Sequence, residues 1–322
     1  MNRLLVFLVL CPAYGLAQLH WNNVDSLYQP LPAGVHVYFT DDAIEGKPNR
    51  AFYVSADLNQ RSLEFVTDTT LNRRLTPSSF YTKNARPLLV VNSSFFEFVH
   101  NRNLNVVINR GRLLAYNTPI AGRGKDTLTY THPLVSALGI SKKRTADVAW
   151  TFTDSSKRRA YAVQEIYPPI KDANQVLRLR NAGYQSSDAQ QQKAAKLKKW
   201  KMQTAVGGGP VLLQNGNVAI TNNEELKFAG KGIEDKHPRT GMGYTAGGRL
   251  IIMVVEGRAP GIAEGVTLVQ EAQLFKDLGC AEALNLDGGG SSCMLVNGKE
   301  TIRPSDKEGQ RPVPAVFMIK AK

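Results

Sequence analysis

Residues 283–292 read ALNLDGGGSS, and this stretch decides which fold and which kind of site we expect. A short apolar run ends in Asn285 and Asp287 and passes directly into three glycines and two serines. Because glycine has no Cβ and tolerates positive φ, a ligand can approach the backbone N–H groups of such a loop closely. The stretch therefore predicts a strand that ends at the floor of a pocket, where Asp287 supplies charge. A hairpin turn that satisfies only its own backbone is the alternative interpretation.

Short apolar or alternating runs, separated by Asn, Gly and Pro, recur on both sides of the middle of the chain and are typical of strands. They cover residues 35–39, 51–54, 88–91, 106–108, 209–213 and 250–255. Asn215 and Gly216 stand between two apolar segments and predict a hairpin. Apolar residues at helical spacing predict helices over 187–202 and 267–278. We expect an α+β fold that is strand-rich, with mixed or antiparallel sheets and a few flanking helices in a single compact domain.

The composition is that of a globular protein, since 43% of the 322 residues are hydrophobic and 21% are charged. This excludes disordered, collagen-like, coiled-coil and multi-span membrane classes. The formal net charge of +13 is unusual, and most of it comes from residues 141–201, which we interpret as a basic insertion. The insertion predicts a solvated basic face or a contact with an anionic partner. No helix-turn-helix, zinc-finger, RRM or KH pattern is present, so we expect no nucleic acid partner.

The first 17 residues predict a secretory signal peptide. Arg3 precedes the apolar run 4–10, and small residues follow up to Ala17, after which we expect cleavage. The apolar run is shorter than the roughly 20 residues of a membrane-spanning helix, and no later run is comparable, so we expect no transmembrane segment. The sequence therefore predicts an exported protein, periplasmic or extracellular, and leaves its oligomeric state open.

The three cysteines of the chain bear on the same question. Cys11 could be read as a lipidation cysteine, but the leucine before it is bulky where a small residue is usual. Cleavage after Ala17 would leave Cys280 and Cys293. An exported protein permits a disulfide between them, but we favour two buried free thiols.

A second polar cluster surrounds two arginines. Arg239 lies in the run HPRTGMG at 237–243, and Arg258 follows a hydrophobic run and Glu256. Each guanidinium offers a planar fork for phosphate or carboxylate, although a surface salt bridge is the alternative for either. His237 has no second histidine at metal-ligand spacing, so the cluster does not predict zinc. The sequence requires no cofactor, and Asp and backbone carbonyl oxygens could hold calcium.

A third cluster, VVNSSFF at 90–96, places a polar segment between a strand and two aromatic residues. Asn92 offers an amide for sugar hydroxyls, and an aromatic ring such as Phe96 suits the apolar face of a sugar. Packing of both phenylalanines in the core is the alternative.

These clusters, in this order and with VGGGPVL at 206–212 among them, resemble the phosphodiester glycosidase family. The positions that carry the resemblance are 92–96, 208–210, 238–240, 256–258, 285–292 and 304–306. The resemblance extends over about residues 85–320, so we expect 85–322 to be the family domain. Residues 18–84 form an N-terminal strand-rich segment that we expect to belong to the same fold.

The resemblance implies an exported hydrolase that cleaves the C1–O bond of a sugar-1-phosphodiester and releases a free sugar, such as N-acetylglucosamine, from a phosphoglycan. It implies catalytic roles for the carboxylates of Asp287 and Glu256 and for the guanidinium groups of Arg239 and Arg258. The substrate-binding residues implied are Asn92, Phe96, Gly209, His237, Thr240, Asn285, Gly288, Gly289, Gly290, Ser291, Ser292, Ser305 and Asp306.

Four departures from the family pattern keep other functions open. Ser93-Ser94 replaces Gly-Gly, Glu256 stands for Asp, Gln270 for Glu, and Arg303 for Asn. A phosphodiesterase that cleaves a P–O bond is one alternative. A non-catalytic protein that binds envelope glycans is the other.

Overall fold

A computed structural model describes residues 18–123, 126–132, 134–166, 169–171, 178–180, 183–185 and 197–322. Over these residues the chain is mostly β, and it forms a single compact domain with antiparallel sheets and two α-helices. The prediction of a strand-rich antiparallel fold is confirmed, whereas a balanced α+β mixture is not found.

The strands are numbered in chain order. The first group is β1 Asn22–Asn23, β2 Val35–Thr40, β3 Ala51–Asp57, β4 Leu63–Thr69, β5 Leu89–Asn92, β6 Phe96–Glu97, β7 Arg102–Asn103, β8 Val107–Asn109 and β9 Arg112–Ala115. The second is β10 Ile120–Arg123, β11 Thr129–His132, β12 Val135–Ser141, β13 Ala146–Asp154, β14 Arg159–Val163, β15 Ile170–Lys171, β16 Arg178–Arg180, β17 Gly183–Gln185, β18 Lys198–Lys199 and β19 Met202–Gly207. The third is β20 Val211–Gln214, β21 Asn217–Val218, β22 Arg239–Thr245, β23 Arg249–Val255, β24 Cys280–Asn285, β25 Met294–Val296, β26 Lys299–Glu300 and β27 Ala315–Ala321. The helices are α1 Pro77–Lys83 and α2 Leu268–Asp277.

Three sheets build the domain. The first has the order β1-β2-β3-β23-β22-β24-β20-β21, the second β18-β14-β13-β12-β19-β8-β9, and the third β26-β25-β5-β27-β4. Smaller sheets are β10-β11-β15, β16-β17 and β6-β7. Strands β2 and β3 of the N-terminal segment lie in the first sheet, and β4 pairs with β27 in the third.

One hydrophobic core joins the three sheets. Val54 and Ile252 come from the first sheet, Trp150 from the second, and Leu89 and Phe317 from the third. Strand β3 is buried on both faces because one face joins this core and the other contributes Tyr53 to a second apolar cluster, where the rings of Trp21 and Tyr38 pack on it and to which α2 also contributes. This double burial explains why the central strands are continuous apolar runs rather than alternating ones.

Helix α2 confirms the helix predicted over 267–278. The Thr267 hydroxyl accepts the Gln270 N–H at 3.1 Å, and the Gln270 side chain accepts the Thr267 N–H at 3.0 Å, which completes a capping box. Gly279 ends the helix at φ +74°. Gln270 therefore caps the helix, and its Nε2 also donates to Glu45 Oε2 at 2.8 Å, a bond that a glutamate at this position could not donate.

The helix predicted over 187–202 is wrong where the structure describes it. Lys198 and Lys199 form β18, and β19 begins at Met202. Leu197 and Trp200 are buried, but they contribute to a sheet rather than to a helical stripe. Residues 187–196 lie outside the described part of the chain.

Helix α1 was missed, although its start carries ordinary signals. Thr76 is the N-cap and accepts the Ser79 N–H at 3.1 Å, and Pro77 occupies the first helical position. At 7 residues the helix is too short to show a periodic apolar stripe.

Two further predictions are confirmed. The hairpin β20-β21 turns at Asn215 and Gly216, both at positive φ. Cys280 and Cys293 are free and buried.

The segment 141–201 does not stand apart from the fold where it is described. Strands β13 and β14 lie in this segment. Strand β13 pairs with β12 and β14 pairs with β13, so both belong to the second sheet. No helix among the described residues is both long and apolar enough to cross a membrane.

Candidate active site

Strand directions bring the predicted residues of the first sheet to one edge. Strand β22 runs antiparallel to both β23 and β24, so its first residue, Arg239, lies opposite Val255 at the end of β23. The end of β24 lies on the other side of β22, and β20 begins beside it at Val211. Glu256, Asp287 and the residues before Val211 therefore leave the sheet at the same edge.

Asn92 joins the third sheet to this edge. Its side-chain amide donates to the Asp287 carbonyl at 2.5 Å, and its Oδ1 accepts the Cys293 N–H at 3.1 Å. Thr240 Oγ1 lies 3.0 Å from Asn92 Oδ1 and 3.1 Å from Ser292 Oγ. Because these bonds occupy the polar atoms of Asn92, its observed role is to hold the glycine loop in place.

The three glycines of the loop are required by what packs on them. A Cβ at Gly288 would lie 2.8 Å from the Pro238 carbonyl, and one at Gly289, whose φ is +61°, would lie 2.9 Å from Arg258 Nη2. A Cβ at Gly290 would overlap the Arg311 guanidinium. The glycines therefore allow two guanidinium groups to lie directly on the loop backbone.

Asp287 is a buried carboxyl at the start of this loop. Burial raises its pKa to about 7, and the charges of Arg311 and Lys227 partly oppose that shift. Its Oδ2 has no hydrogen-bond partner among the described residues. A carboxyl with a pKa of about 7 can take up or release a proton near neutral pH.

Lys227 is a site residue that the sequence did not reveal. Its ammonium donates to the Gly208 carbonyl at 2.8 Å and lies 4.1 Å from the centroid of the Phe95 ring. Burial lowers its pKa to about 8, and the charges of Glu225 and Asp287 oppose that shift. No sequence motif pointed to Lys227, because it occurs in the ordinary run EELKF and only the fold brings it close to Asp287.

Arg239 is a buried cation held by backbone carbonyls. Its Nε donates to the Val266 carbonyl at 3.0 Å and its Nη2 to the Asp235 carbonyl at 2.9 Å. The carboxylate of Glu271, on α2, is the strongest charge acting on it. Burial raises the pKa of Glu271 to about 8, and Arg239 opposes that shift. Arg239 is therefore fixed in the wall of the site by its carbonyl partners.

Three charged residues, Arg258, Asp306 and Arg311, lie close to the glycine loop. Arg311 Nε and Nη2 donate to the two carboxylate oxygens of Asp306 at 2.7 and 2.8 Å, and this pair holds the pKa of Asp306 below its usual value. Arg258 is exposed, at φ +61°, and its charge also acts on Asp306. The predicted binding residue Asp306 is thus engaged by Arg311.

Glu256 is buried at the same sheet edge, but its side chain contacts Arg303 and Arg50 rather than the glycine loop. Its Oε2 accepts the Arg303 N–H at 3.2 Å and lies 3.9 Å from Arg50 Nε. These contacts attach the start of the 303–311 loop to the sheet. The two predicted catalytic carboxylates therefore occupy different surroundings.

The remaining predicted residues divide between the site and the core. Phe96 packs among core side chains, with the Phe98 ring centroid 4.8 Å away, whereas Phe95 contacts Lys227. A sugar-stacking role for Phe96 stays a prediction, and Phe95 has the more suitable position. His237 is half-buried, and burial together with Arg239 and Arg258 lowers its pKa.

Several buried polar atoms in this region have no hydrogen-bond partner in the part of the chain that the structure describes. They are Ser93 Oγ, Ser94 Oγ, Asn285 Oδ1, Asp287 Oδ2, Ser291 Oγ and Ser305 Oγ. The side-chain Nδ2 of Asn285 does have a partner, because it donates to the Gly209 carbonyl at 2.7 Å. An unmade hydrogen bond at a buried group costs about 1–3 kcal/mol, so such a concentration is typical of a surface that binds a polar ligand.

A metal site is not evident in the part of the chain that the structure describes. Those residues contain no group of three or more His, Cys, Asp or Glu side chains arranged to hold a metal ion.

The fold brings several cations to one edge of the first sheet, around the buried carboxyl of Asp287. Residues 152–320 match the phosphodiester glycosidase family, and the chain belongs to this family, whose members are hydrolases. The matched region contains Arg239, Glu256, Arg258 and the glycine loop, and it begins after Asn92.

Two curated relatives are similar over part of the chain. A prophage-derived uncharacterised protein of Bacillus subtilis is 42% identical over 71 residues, 22% of this chain and 11% of that protein. The mouse enzyme N-acetylglucosamine-1-phosphodiester alpha-N-acetylglucosaminidase is 28% identical over 103 residues, 30% of this chain and 20% of the enzyme. The matched stretches thus span no more than a fifth of either relative.

Solved structures share the fold over most of the chain. The zebrafish N-acetylglucosamine-1-phosphodiester alpha-N-acetylglucosaminidase catalytic domain, auto-inhibited by its pro-peptide, aligns with a TM-score of 0.57 and 20% identity over 91% of this chain and 85% of that one. A Burkholderia pseudomallei protein assigned as exported aligns with a TM-score of 0.56 and 17% identity over 88% of this chain and 75% of that one. At these identities the likeness concerns the fold.

Proposed function

We propose that the protein hydrolyses the C1–O bond of a sugar-1-phosphodiester, releasing the free sugar and leaving a phosphomonoester. The observation that carries the proposal is Asp287, a buried carboxyl with a pKa of about 7, at the edge where Lys227, Arg258 and Arg311 meet. Family membership supports the reaction class.

The charges suit a leaving group that is already acidic. A phosphate group departs without a strong general acid, whereas the transition state at C1 carries positive, oxocarbenium-like charge. The site therefore needs cations for the phosphate and a carboxylate near C1. Arg258 lies on the loop at Gly289, and Lys227 lies near Asp287, so both cations can face one bound phosphodiester.

We assign the water-activating role to Asp287. The water oxygen forms a bond to C1 while the C1–O bond breaks, and the electron pair of that bond stays on the bridging phosphate oxygen. The water proton passes to the Asp287 carboxylate and is later released to solvent. The raised pKa makes this carboxylate a stronger base than an exposed aspartate.

Glu256 has a supporting role in this proposal. Its Oε2 holds the Arg303 N–H, and the loop that starts there carries both Asp306 and Arg311. Glu256 therefore positions the cation that covers Gly290 rather than contacting C1.

Sugar recognition falls to the polar atoms of the site that have no partner among the described residues. The hydroxyls of Ser93, Ser94 and Ser291 and the Oδ1 atom of Asn285 can bond to sugar or phosphate oxygens. Ser93 and Ser94 stand where the family pattern has glycines, so they add hydroxyls to the pocket. This difference supports a substrate whose sugar, or the group linked to its phosphate, differs from that of other family members.

Export is also part of the proposal. The signal-like segment 1–17 supports it, and the mature chain would begin at residue 18. An exported hydrolase of this class would act on phosphoglycans outside the cytoplasm.

The test follows products from a phosphodiester of N-acetylglucosamine joined through C1 to a simple alcohol. Release of free sugar together with the alkyl phosphate supports the proposal. Release of sugar-1-phosphate and alcohol would identify a phosphodiesterase. Stable binding without any product over a long incubation would identify a binding protein.

A further inference from the structure

A groove of about 490 Å³ lies on the second sheet, apart from the candidate active site. Its lining comes from β8, β9, β14, β18 and β19 and from the turns beside them. The basic residues that line it are Lys142, Arg158, Arg159, Lys199 and Lys201. None of the lining residues is acidic.

The positive charge of this basic groove is not compensated within the described residues. All five basic side chains are exposed, and none of them forms an ion pair or a side-chain hydrogen bond there. The nearby acids are engaged elsewhere, since Asp147 accepts from Trp200 Nε1 at 2.5 Å and Asp154 accepts from Ser156. A concave surface lined by one sign of charge attracts oppositely charged ligands strongly.

The floor of the basic groove is rigid. Trp200 is only 8% exposed and packs on an alanine-rich face formed by Ala149, Ala160 and Ala205. Its ring lies directly over Gly139, where a Cβ would come within 2.7 Å of it. The cations are therefore arranged around a fixed apolar floor.

Strand β19 connects the basic groove to the candidate active site. Met202, at the start of the strand, lines the groove, and Gly208, just after its end, accepts the Lys227 ammonium. Six residues of extended chain span about 20 Å. A single sugar phosphodiester cannot reach both places, whereas a polymer with repeating phosphates can.

We propose that the basic groove binds the phosphodiester backbone of a polymeric phosphoglycan, several units away from the bond that is cleaved. The proposal rests on the function proposed above, because it identifies the substrate as a polymer. Five cations on a concave surface match a chain that carries one charge per repeating unit.

The groove favours a phosphoglycan over the other polyanions. Single-stranded nucleic acid binds through exposed aromatic rings on which bases stack, and the one aromatic residue of the lining, Trp200, is buried. An anionic membrane needs a broad exposed face rather than a groove. A polyol-phosphate chain needs only cations at intervals.

Direct binding tests the proposal independently of catalysis. The probe is poly(glycerol phosphate), titrated calorimetrically into the wild-type protein and into the double variant Arg158→Glu/Lys199→Glu. We expect at least a tenfold weaker affinity in the variant, and a salt dependence lower by about one unit of slope per lost phosphate contact. The control double variant Arg86→Glu/Lys276→Glu changes the net charge equally at exposed positions away from the groove, and we expect less than a twofold change.

Activity gives the second arm. On a polymer of N-acetylglucosamine-1-phosphate units, in which C1 of each sugar is esterified to phosphate, the groove variant should raise KM at least fivefold and leave kcat unchanged, while kcat/KM on a small sugar phosphodiester stays within twofold. Equal weakening in the groove and control variants, or unchanged affinity in the groove variant, would overturn the proposal. Tighter groove-dependent binding of a single-stranded DNA of the same charge would overturn the choice of ligand. If binding depends on the groove but wild-type protein releases no sugar, the proposed function fails and the groove assignment stands.

Discussion

The candidate active site and the basic groove both collect positive charge, but they do so in opposite environments. At the site, Arg239 is buried and Lys227 half-buried, and burial lowers the pKa of each. In the groove the cations are exposed, and none of the described residues that line it carries a carboxylate. A charge removed from water changes the proton affinity of its neighbours, whereas a charge in water attracts ions without doing so. One region is therefore suited to chemistry and the other to retaining a substrate.

The largest effect should come from Asp287→Asn, which removes the titratable carboxyl and keeps its shape. We expect kcat/KM on a small sugar phosphodiester to fall by about 10³-fold, within the range for loss of a general base. Glu256→Gln is the matched comparison, and its loss should be about tenfold because Glu256 contacts Arg303 and Arg50. Steady-state sugar release checks both values, and an Asp287→Asn enzyme as active as the wild type would contradict the assignment.

The second effect concerns Lys227, the half-buried cation beside Asp287. In Lys227→Met we expect kcat/KM to fall by about 10²-fold. Because Lys227 lowers the pKa of Asp287, its removal should move the acidic limb of the pH profile of kcat/KM to higher pH. Lys142→Met removes an exposed groove cation instead and should leave this profile unchanged. An unshifted limb in Lys227→Met would show that the two groups are not coupled.

The third effect is on stability and has opposite signs at two aspartates. Burial raises the pKa of Asp287 from 3.8 to about 7. As pH rises from about 4 to 7, the carboxyl therefore ionises more readily in the unfolded state, and the free energy of unfolding falls. Asp287→Asn should therefore stabilise the protein, increasingly up to pH 7, by on the order of 1–4 kcal/mol. For Asp306, whose pKa is lowered by Arg311, the Asn variant should be less stable at pH 7, and its deficit should shrink as pH falls below about 4. Thermal unfolding between pH 2 and 8 measures both differences, and equal signs would contradict the account.

A fourth effect tests the packing of arginine on the glycine loop. Gly290→Ala should displace Arg311 from the loop and destabilise the protein by about 1–3 kcal/mol, with an increase in KM. Gly216→Ala, in the β20-β21 hairpin, introduces strain through its φ of +75° but meets no atom within 4 Å, so activity should be unchanged. Calorimetry together with KM values separates the two variants. An unchanged KM in Gly290→Ala would show that Arg311 does not act on substrate.

The smallest effect concerns Gln270, which the sequence singled out as a departure from the family. Because Gln270 completes a capping box, Gln270→Ala should cost about 1 kcal/mol of stability and leave kcat/KM within twofold. Loss of activity without loss of stability would instead place Gln270 in the site.

Local patterns predicted those parts of the molecule that local physics controls. Short apolar or alternating runs predicted β2, β3 and β23, apolar residues at helical spacing predicted α2, and Asn215-Gly216 predicted a hairpin. The same helical spacing predicted a helix over 187–202, but in the described part of this run the pairing of Lys198 and Lys199 with β14 prevails over the local pattern.

The site was predictable where its residues form contiguous motifs. Asp287 and the glycine loop follow one strand, and Arg239 begins another, so strand topology alone places them together. Lys227, Glu271 and Arg311 were missed because each comes from a segment with no motif and reaches the site only through the tertiary fold. Glu256 directly follows β23, but its pairing with Arg50 depends on the start of β3, far away in sequence.

Hydrolysis in water enriched in ¹⁸O tests the central claim most directly, because both C1–O and P–O attack can yield a free sugar and a phosphomonoester. With the sugar isolated immediately, mass spectrometry locates the label. We predict one ¹⁸O atom at C1 of the released sugar and none in the phosphomonoester. Label in the phosphomonoester, with unlabelled sugar, would contradict the account and make the enzyme a phosphodiesterase.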